Sequence, residues 1–118
     1  LALLEFVAFG ALVGRARGRY GVKAPATGGH EIFDRYFRVH YNTMEMLVVF
    51  VPAIWLFGLY VSPGWGALLG AVFIFGRILY LRGYVADPSK REFGFGLSVL
   101  PVVILLIGAL VGAVRVLL

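Results

Sequence analysis

Charged and amide side chains recur at helical spacing in the segment EIFDRYFRVHYNTMEM, residues 31–46. At about 100° per residue, Arg38, Asn42 and Glu45 fall on one face of a helix, and Asp34 lies beside them. His40 falls on the opposite side. Such a face can offer guanidinium donors to a carboxylate, an amide to a peptide group and a carboxylate to an ammonium group.

A second polar stripe lies in the segment GRILYLRGY, residues 76–84. Arg77, Tyr80 and Tyr84 are three and four residues apart, so a helix places them on one face. Arg91 follows after the helix-breaking pair Asp87-Pro88. The stripes therefore predict two neighbouring helices whose polar faces meet.

The charges on these two faces do not balance. Arg38, Arg77 and Arg91 converge with only two carboxylates, those of Glu45 and Asp34. Ionisable groups at membrane depth are costly and face a wet cavity or one another. One interpretation is an interhelical ion-pair network with tyrosine hydroxyls. The other is a site for an anionic ligand that also carries an amine and peptide groups, and glutathione has all of these.

The remaining sequence predicts a membrane protein. Of its 118 residues, 61% are hydrophobic and 14% are charged, with a mean hydropathy of +0.92. A soluble domain carries about 25% charged residues, so the excess apolar surface requires lipid. We predict one domain, residues 1–118, folded as an all-α antiparallel bundle of four transmembrane helices. The helices are expected at about residues 1–19, 31–61, 65–87 and 92–117.

Charge and composition also limit the function classes. Six of the eleven Lys and Arg residues lie between positions 15 and 38, which is typical of cytoplasmic loops. We expect loops 15–38 and 82–92 in the cytoplasm and both termini on the opposite side, in the inner membrane if the source is bacterial. No basic face interleaved with aromatic residues suggests nucleic acid. The chain has no cysteine and two histidines, and it has no HExxH spacing, so we predict no metal site.

Both polar segments resemble the signatures of the MAPEG superfamily, the membrane-associated proteins in eicosanoid and glutathione metabolism. FDRYFRVHYNTMEM, residues 33–46, is similar to the family pattern Arg-x-His/Gln-x-Asn-x-x-Glu. GRILYLRGY is similar to the second pattern, Arg-x-x-Tyr-x-x-x-Tyr. The motifs are closest to those of the microsomal glutathione transferases and leukotriene C synthases. The resemblance implies a homotrimer of four-helix subunits in the lipid bilayer, with glutathione sites between subunits.

The resemblance also implies a role for each matching residue. Arg38, Asn42 and Glu45 correspond to residues that hold the carboxylate, backbone and amine of glutathione. Tyr80 and Tyr84 correspond to tyrosines that line the same site.

Four further positions complete the predicted site. Arg77 opens the second signature and is expected to bind the ligand. Arg91 corresponds to an arginine that faces the thiol and is the predicted catalytic residue. Arg17 and His40 correspond to contributions from the neighbouring subunit.

Two positions depart from the leukotriene C synthase pattern, since Met46 replaces a tyrosine and Gly18 replaces an arginine. We therefore predict a general glutathione transferase, with peroxidase activity as a related function, acting on a lipophilic small molecule. One alternative is a non-catalytic protein of the same fold that binds glutathione or lipid. A less favoured alternative is a small multidrug transporter, because such proteins carry a glutamate in the first helix and Glu5 lies there.

Overall fold

The computed structural model describes all residues 1–118. They form four long helices, one short 3-10 turn and the segments that connect them. Their bounds are Ala2–Tyr20 (α1), Glu31–Tyr60 (α2), Pro63–Ala86 (α3), Pro88–Lys90 (the 3-10 turn) and Glu92–Leu117 (α4). The helices lie side by side in a body of 56 × 26 × 18 Å. Helix α2 packs against the other three, and α4 packs against α2 and α3. The predicted all-α fold is thus confirmed.

Capping groups set the helix ends. The Ser62 hydroxyl accepts a hydrogen bond from the Trp65 amide at 3.2 Å, and Pro63 takes the first helical position. Because Ser and Pro are favoured at these two positions, α3 begins two residues before the predicted start. Helix α1 ends at Gly21, whose φ of 69° is in the left-handed region that favours glycine.

Three helices, α2, α3 and the α4 segment, are long and apolar enough to cross a membrane. Many of their large apolar side chains are exposed, among them Trp55, Phe75 and Leu110. Lipid is the medium that accommodates such surfaces, so the chain is an integral membrane protein. Helix α1 ends in three arginines and is not among these three spans, and a fourth span stays a prediction.

The core joins α2, α3 and α4. Phe50 and Phe73 stack with ring centroids 4.1 Å apart. Helices α3 and α4 approach closely at two glycines, because a Cβ atom on Gly94 would lie 2.3 Å from the Tyr80 nitrogen and one on Gly76 would lie 2.8 Å from the Leu97 carbonyl carbon. This close approach brings α4 within hydrogen-bonding reach of the polar stripe on α3.

Charged side chains hold the connections at the end of the molecule where α2 begins and α3 ends. Arg35 pairs with Glu31 at 2.6 Å and donates to the Val85 carbonyl at 2.8 Å, so it ties the start of α2 to the end of α3. Between α3 and α4, Asp87 accepts a hydrogen bond from the Ser89 amide at 3.1 Å. This bond lowers the pKa of the Asp87 carboxyl, so the turn begins on a charged cap.

Candidate functional site

Arg77 is the largest fully buried side chain in the protein, with no exposed surface. Its Nε donates to the Ser98 hydroxyl at 2.9 Å, and its Nη1 donates to Asn42 Oδ1 at 2.7 Å and to the Thr43 hydroxyl at 3.2 Å. These acceptors come from α4 and α2, so one guanidinium joins three helices. We call Arg77, Asn42, Thr43 and Ser98 the polar nest.

The two hydroxyls of the polar nest are oriented by their own helices. Thr43 donates to the Val39 carbonyl and Ser98 donates to the Gly94 carbonyl, each at 2.8 Å. Because each hydroxyl donates its proton to a carbonyl of the preceding helical turn, its lone pairs remain free to accept from Arg77. Sequence reasoning missed both residues. The available signal was Ser98, the one polar side chain in the apolar run 93–114.

Beyond the polar nest, aromatic and cationic side chains follow one another along α3 toward its last residue, Ala86. The Arg77 guanidinium lies 4.3 Å from the Tyr80 ring centroid, and the Tyr80 and Tyr84 centroids are 5.6 Å apart. The Arg91 guanidinium then lies 5.9 Å from the Tyr84 centroid. The structure therefore brings Asn42 of the first stripe together with all three residues of the second stripe and with Arg91.

The side chains at the outer part of this region keep free hydrogen-bonding groups. Arg38 and Glu45 are exposed, and neither takes part in a salt bridge. Arg91 is exposed and donates to the Pro88 carbonyl at 2.7 Å. Asn42 is half-buried, and its carbonyl oxygen is taken by Arg77 while its NH₂ group is left to donate. We call Arg38, Asn42, Glu45 and Arg91 the binding face. It can receive carboxylates, an ammonium group and a peptide carbonyl.

Arg77 is buried within the bundle, whereas the sequence predicts that it contacts the ligand. It was predicted to contact a ligand, but its buried guanidinium faces protein acceptors beneath the binding face. The physical reason is that Arg77 lies deep among the apolar helices. A guanidinium among apolar helices must find acceptors within the bundle, and Thr43 and Ser98 provide them. Arg77 therefore supports Asn42 and Tyr80, and the positive charge that remains at the binding face belongs to Arg38 and Arg91.

Two predicted residues lie apart from the binding face in the single chain. The His40 ring stacks on Phe6 of α1 with centroids 4.4 Å apart. Arg17 donates to the Ala26 carbonyl at 2.8 Å and lies 5.0 Å from the Phe33 ring centroid, so it holds the loop after α1. Their expected contribution to a neighbouring subunit stays a prediction.

An apolar groove of about 630 Å³ runs between the start of α1, α2 and α3. Its walls include Ala2, Phe50, Ile54, Gly70, Ala71 and Ile74. Along α3 the groove reaches Ile78, the residue after Arg77. It therefore adjoins the helix turn that carries the polar nest.

Fold and site together define a small helical membrane protein with an exposed face that carries two arginines, a glutamate and a half-buried asparagine. The chain belongs to the MAPEG family, whose family model matches residues 1–111. This confirms the resemblance seen in the two motifs.

Similar proteins come from bacteria and animals. An uncharacterized protein of Synechocystis is 49% identical over 110 residues, which is 93% of this chain and 80% of that protein. Human microsomal glutathione S-transferase 2 is 39% identical over 103 residues, which is 86% of this chain and 70% of that protein. Leukotriene C4 synthase of Cavia porcellus is 34% identical over 91 residues, or 77% of this chain and 61% of that enzyme.

Proposed function

We propose that this protein is a membrane-bound glutathione transferase that conjugates glutathione to a lipophilic electrophile. The observation that carries the proposal is the binding face, which holds two exposed arginines, an exposed glutamate and a half-buried asparagine beside a pair of tyrosines. The relationship to microsomal glutathione S-transferase 2 supports the same activity.

Each polar part of glutathione has a partner of suitable chemistry on this face. Arg38 pairs with a carboxylate through its planar fork of donors. Glu45 pairs with the amine, and the NH₂ group of Asn42 donates to a peptide carbonyl. Tyr84, half-buried beside Arg91, lines the site between the backbone of the tripeptide and its thiol.

Arg91 is the proposed catalytic residue. A free thiol has a pKa of about 8.5, and the thiolate is the nucleophile. A guanidinium beside the sulfur favours the anion by Coulomb attraction. The thiolate then attacks an electrophilic carbon, so that a carbon–sulfur bond forms while the leaving group departs with the bonding pair. The proton released from the thiol passes to solvent.

The electrophile is proposed to arrive from the bilayer. The apolar groove beside α3 offers such a molecule a lipophilic surface within the single chain, and a groove between neighbouring subunits is the route expected from the family. Leukotriene formation is not proposed, because Gly18 offers no side chain and Met46 packs against the apolar core. A peroxidase activity would use the same thiolate.

The assembly and its orientation belong to the same proposal. Three copies would place Arg17 and His40 of one subunit beside the binding face of the next. Loops 15–38 and 82–92 would face the cytoplasm, where glutathione is supplied. Cysteine labelling at Gly28 and Gly64 checks this, since a cysteine at Gly64 should react with an impermeant reagent from outside and one at Gly28 should not.

Calorimetric titration of the detergent-solubilised protein with glutathione tests the proposal, followed by turnover of a chlorinated aromatic electrophile. We expect binding in the range of about 1 μM to 1 mM, as is typical of enzyme substrates. Absence of binding would overturn the proposal. Binding without turnover of any of several electrophile classes would instead establish the non-catalytic alternative.

A further inference from the structure

Five buried side-chain polar atoms have no hydrogen-bond partner, and three of them lie on two side chains. These three are both carboxylate oxygens of Glu5 and the Nη2 atom of Arg77, while the other two lie on Asp34 and Arg35. A buried polar group without a partner is unfavourable, and a buried unpaired charge is more so. Glu5 has no part in the binding face, so its burial requires a separate explanation.

The packing of α1 against the bundle sets its register relative to α3. Ala2 belongs to the same apolar cluster as Phe73, and Phe9 belongs to the same cluster as Tyr80. Since α1 and α3 are both separated from α2 by one reversal of the chain, they run in the same direction. The turn of α1 at Ala2 therefore lies beside the turn of α3 at Gly70 and Ile74, which line the same groove, and the turn at Phe9 lies near Tyr80.

Glu5 and Arg77 occupy equivalent places in that register. Glu5 follows Ala2 by three residues and precedes Phe9 by four, so it shares their inward face of α1. Arg77 follows Phe73 by four residues and precedes Tyr80 by three on α3. Both residues therefore lie between the same two levels of contact between α1 and α3.

The two groups are not in direct contact, since no salt bridge or hydrogen bond joins them. Their unpaired atoms are acceptors on one side and a donor on the other. A buried water molecule makes about three hydrogen bonds to polar groups of this kind, and such a bridge is nearly as favourable as a direct bond. A water molecule that bridges the two groups would satisfy both.

We infer that Glu5 and Arg77 form a water-bridged ion pair, and that Glu5 is a positioning residue for the glutathione site. The second part rests on the proposed function. Glu5 supplies the counter-charge that lets Arg77 remain ionised among apolar helices. Arg77 in turn holds Asn42 Oδ1 at 2.7 Å and stacks on Tyr80, so the effect of Glu5 reaches the binding face through one side chain.

A double-mutant cycle on the ligand-free protein tests the pair. Glu5→Gln and Arg77→Gln should each lower the unfolding temperature by more than about 5 °C, because each leaves the other charge buried alone. The double variant should lose clearly less than the two shifts added together. Glu92→Gln, at the exposed start of α4, is the matched control and should combine additively with Arg77→Gln. If Arg77→Gln does not fold, Arg77→Lys takes its place, with coupling to Glu5→Gln expected again.

Steady-state kinetics test the positioning role. In Glu5→Leu the Michaelis constant for glutathione should rise about tenfold while that for the electrophile stays unchanged, since Asn42 and Tyr80 face glutathione. Glu5→Asp keeps the carboxylate and should restore most of the loss. A general loss of stability would instead change the Michaelis constants for both substrates, and Glu5→Asp would be affected as much as Glu5→Leu.

The outcomes separate this inference from the proposed function. Additive unfolding shifts in the cycle would overturn the ion pair even if the wild-type protein binds glutathione. If the wild type fails to bind glutathione while the cycle shows coupling, the ion pair stands and the positioning role falls with the proposed function.

Discussion

The polar nest and the binding face hold the same residue type in opposite environments. Arg77 in the nest is fully buried and donates to three side chains from two other helices. Arg38 on the binding face is exposed and free of salt bridges, and the single hydrogen bond of Arg91 goes to a backbone carbonyl in its own turn. The two regions are joined by Asn42 and by the tyrosines of α3.

This contrast separates structural from recognition arginines. An arginine that is buried and donates to protein acceptors contributes to the fold, because a ligand on the exposed face cannot reach its guanidinium. An arginine whose donors are free contributes to stability no more than an exposed charge does, which is little. Substitutions in the nest should therefore affect folding first, and ligand binding only through Asn42 and Tyr80. Substitutions on the binding face should affect ligand binding.

The largest effect is expected in the nest. Arg77→Leu should lower the free energy of unfolding by about 3–5 kcal/mol, because it leaves the partners of a buried charge unsatisfied. Thermal or denaturant unfolding in detergent measures this loss. Arg82→Leu, an exposed arginine on the same helix, is the control and should change stability by less than about 0.5 kcal/mol. Equal losses in the two variants would contradict the assignment of Arg77 to the fold.

On the binding face, Arg38→Ala should leave stability nearly unchanged and weaken glutathione binding by about 2–5 kcal/mol, the loss typical of a charge pair that the bound ligand buries. Calorimetric titration measures it. Arg19→Ala removes an exposed arginine elsewhere and should leave the affinity unaltered. If Arg38→Ala binds as tightly as the wild type, the carboxylates of glutathione are held by other residues.

Asn42 belongs to both regions and should show both effects. Asn42→Ala removes an acceptor of Arg77, and loss of a hydrogen bond to a charged group is worth about 1.5–3 kcal/mol of stability. It also removes the amide donor, so glutathione affinity should fall. Thr43→Val removes another acceptor of Arg77 but no group on the binding face. Thr43→Val should lower stability and leave the affinity for glutathione unchanged. A loss of affinity in that variant would contradict the assignment of Thr43 to the nest alone.

Much of this division could be predicted from the sequence, because helical periodicity alone sets which residues share a face. Arg38, Asn42 and Glu45 were placed on one face of α2, and Tyr80 and Tyr84 on one face of α3. The role of Arg77 could not be predicted in the same way. Whether an arginine is free depends on acceptors that another helix supplies, and Ser98 reaches it only because Gly94 and Gly76 let α4 approach.

The same limit applies to Glu5, which sequence reasoning connected only with a transporter. Periodicity places it on an inward face of α1, but the level at which that face meets α3 follows from packing of Ala2 and Phe9. Helix ends were set by local groups such as Ser62, whose cap shifted the start of α3 by two residues from the predicted position. Long-range register is thus the part that required the structure.

The smallest effect on binding is expected at Arg91, which is proposed to act on the thiol while Arg38 and Glu45 hold the tripeptide. Removing a guanidinium that stabilises the thiolate should raise the pKa of the bound thiol toward the free value of about 8.5. A shift of one pKa unit corresponds to about 1.4 kcal/mol between the two protonation states. Affinity for glutathione should change little, because the sulfur makes few of the polar contacts.

The sign of the pH dependence follows from this shift. With a raised thiol pKa, less thiolate is present at neutral pH, so turnover by Arg91→Leu should fall at pH 7 and recover as the pH rises above the new value. Ultraviolet absorbance of the thiolate in the glutathione complex, recorded against pH, measures the pKa directly. Lys90→Leu, which removes the adjacent exposed cation, should leave the titration curve in place. If the curves of Arg91→Leu and the wild type superimpose, Arg91 has no part in thiol activation, and Tyr84, whose ring lies 5.9 Å from its guanidinium, becomes the candidate that hydrogen-bonds the sulfur.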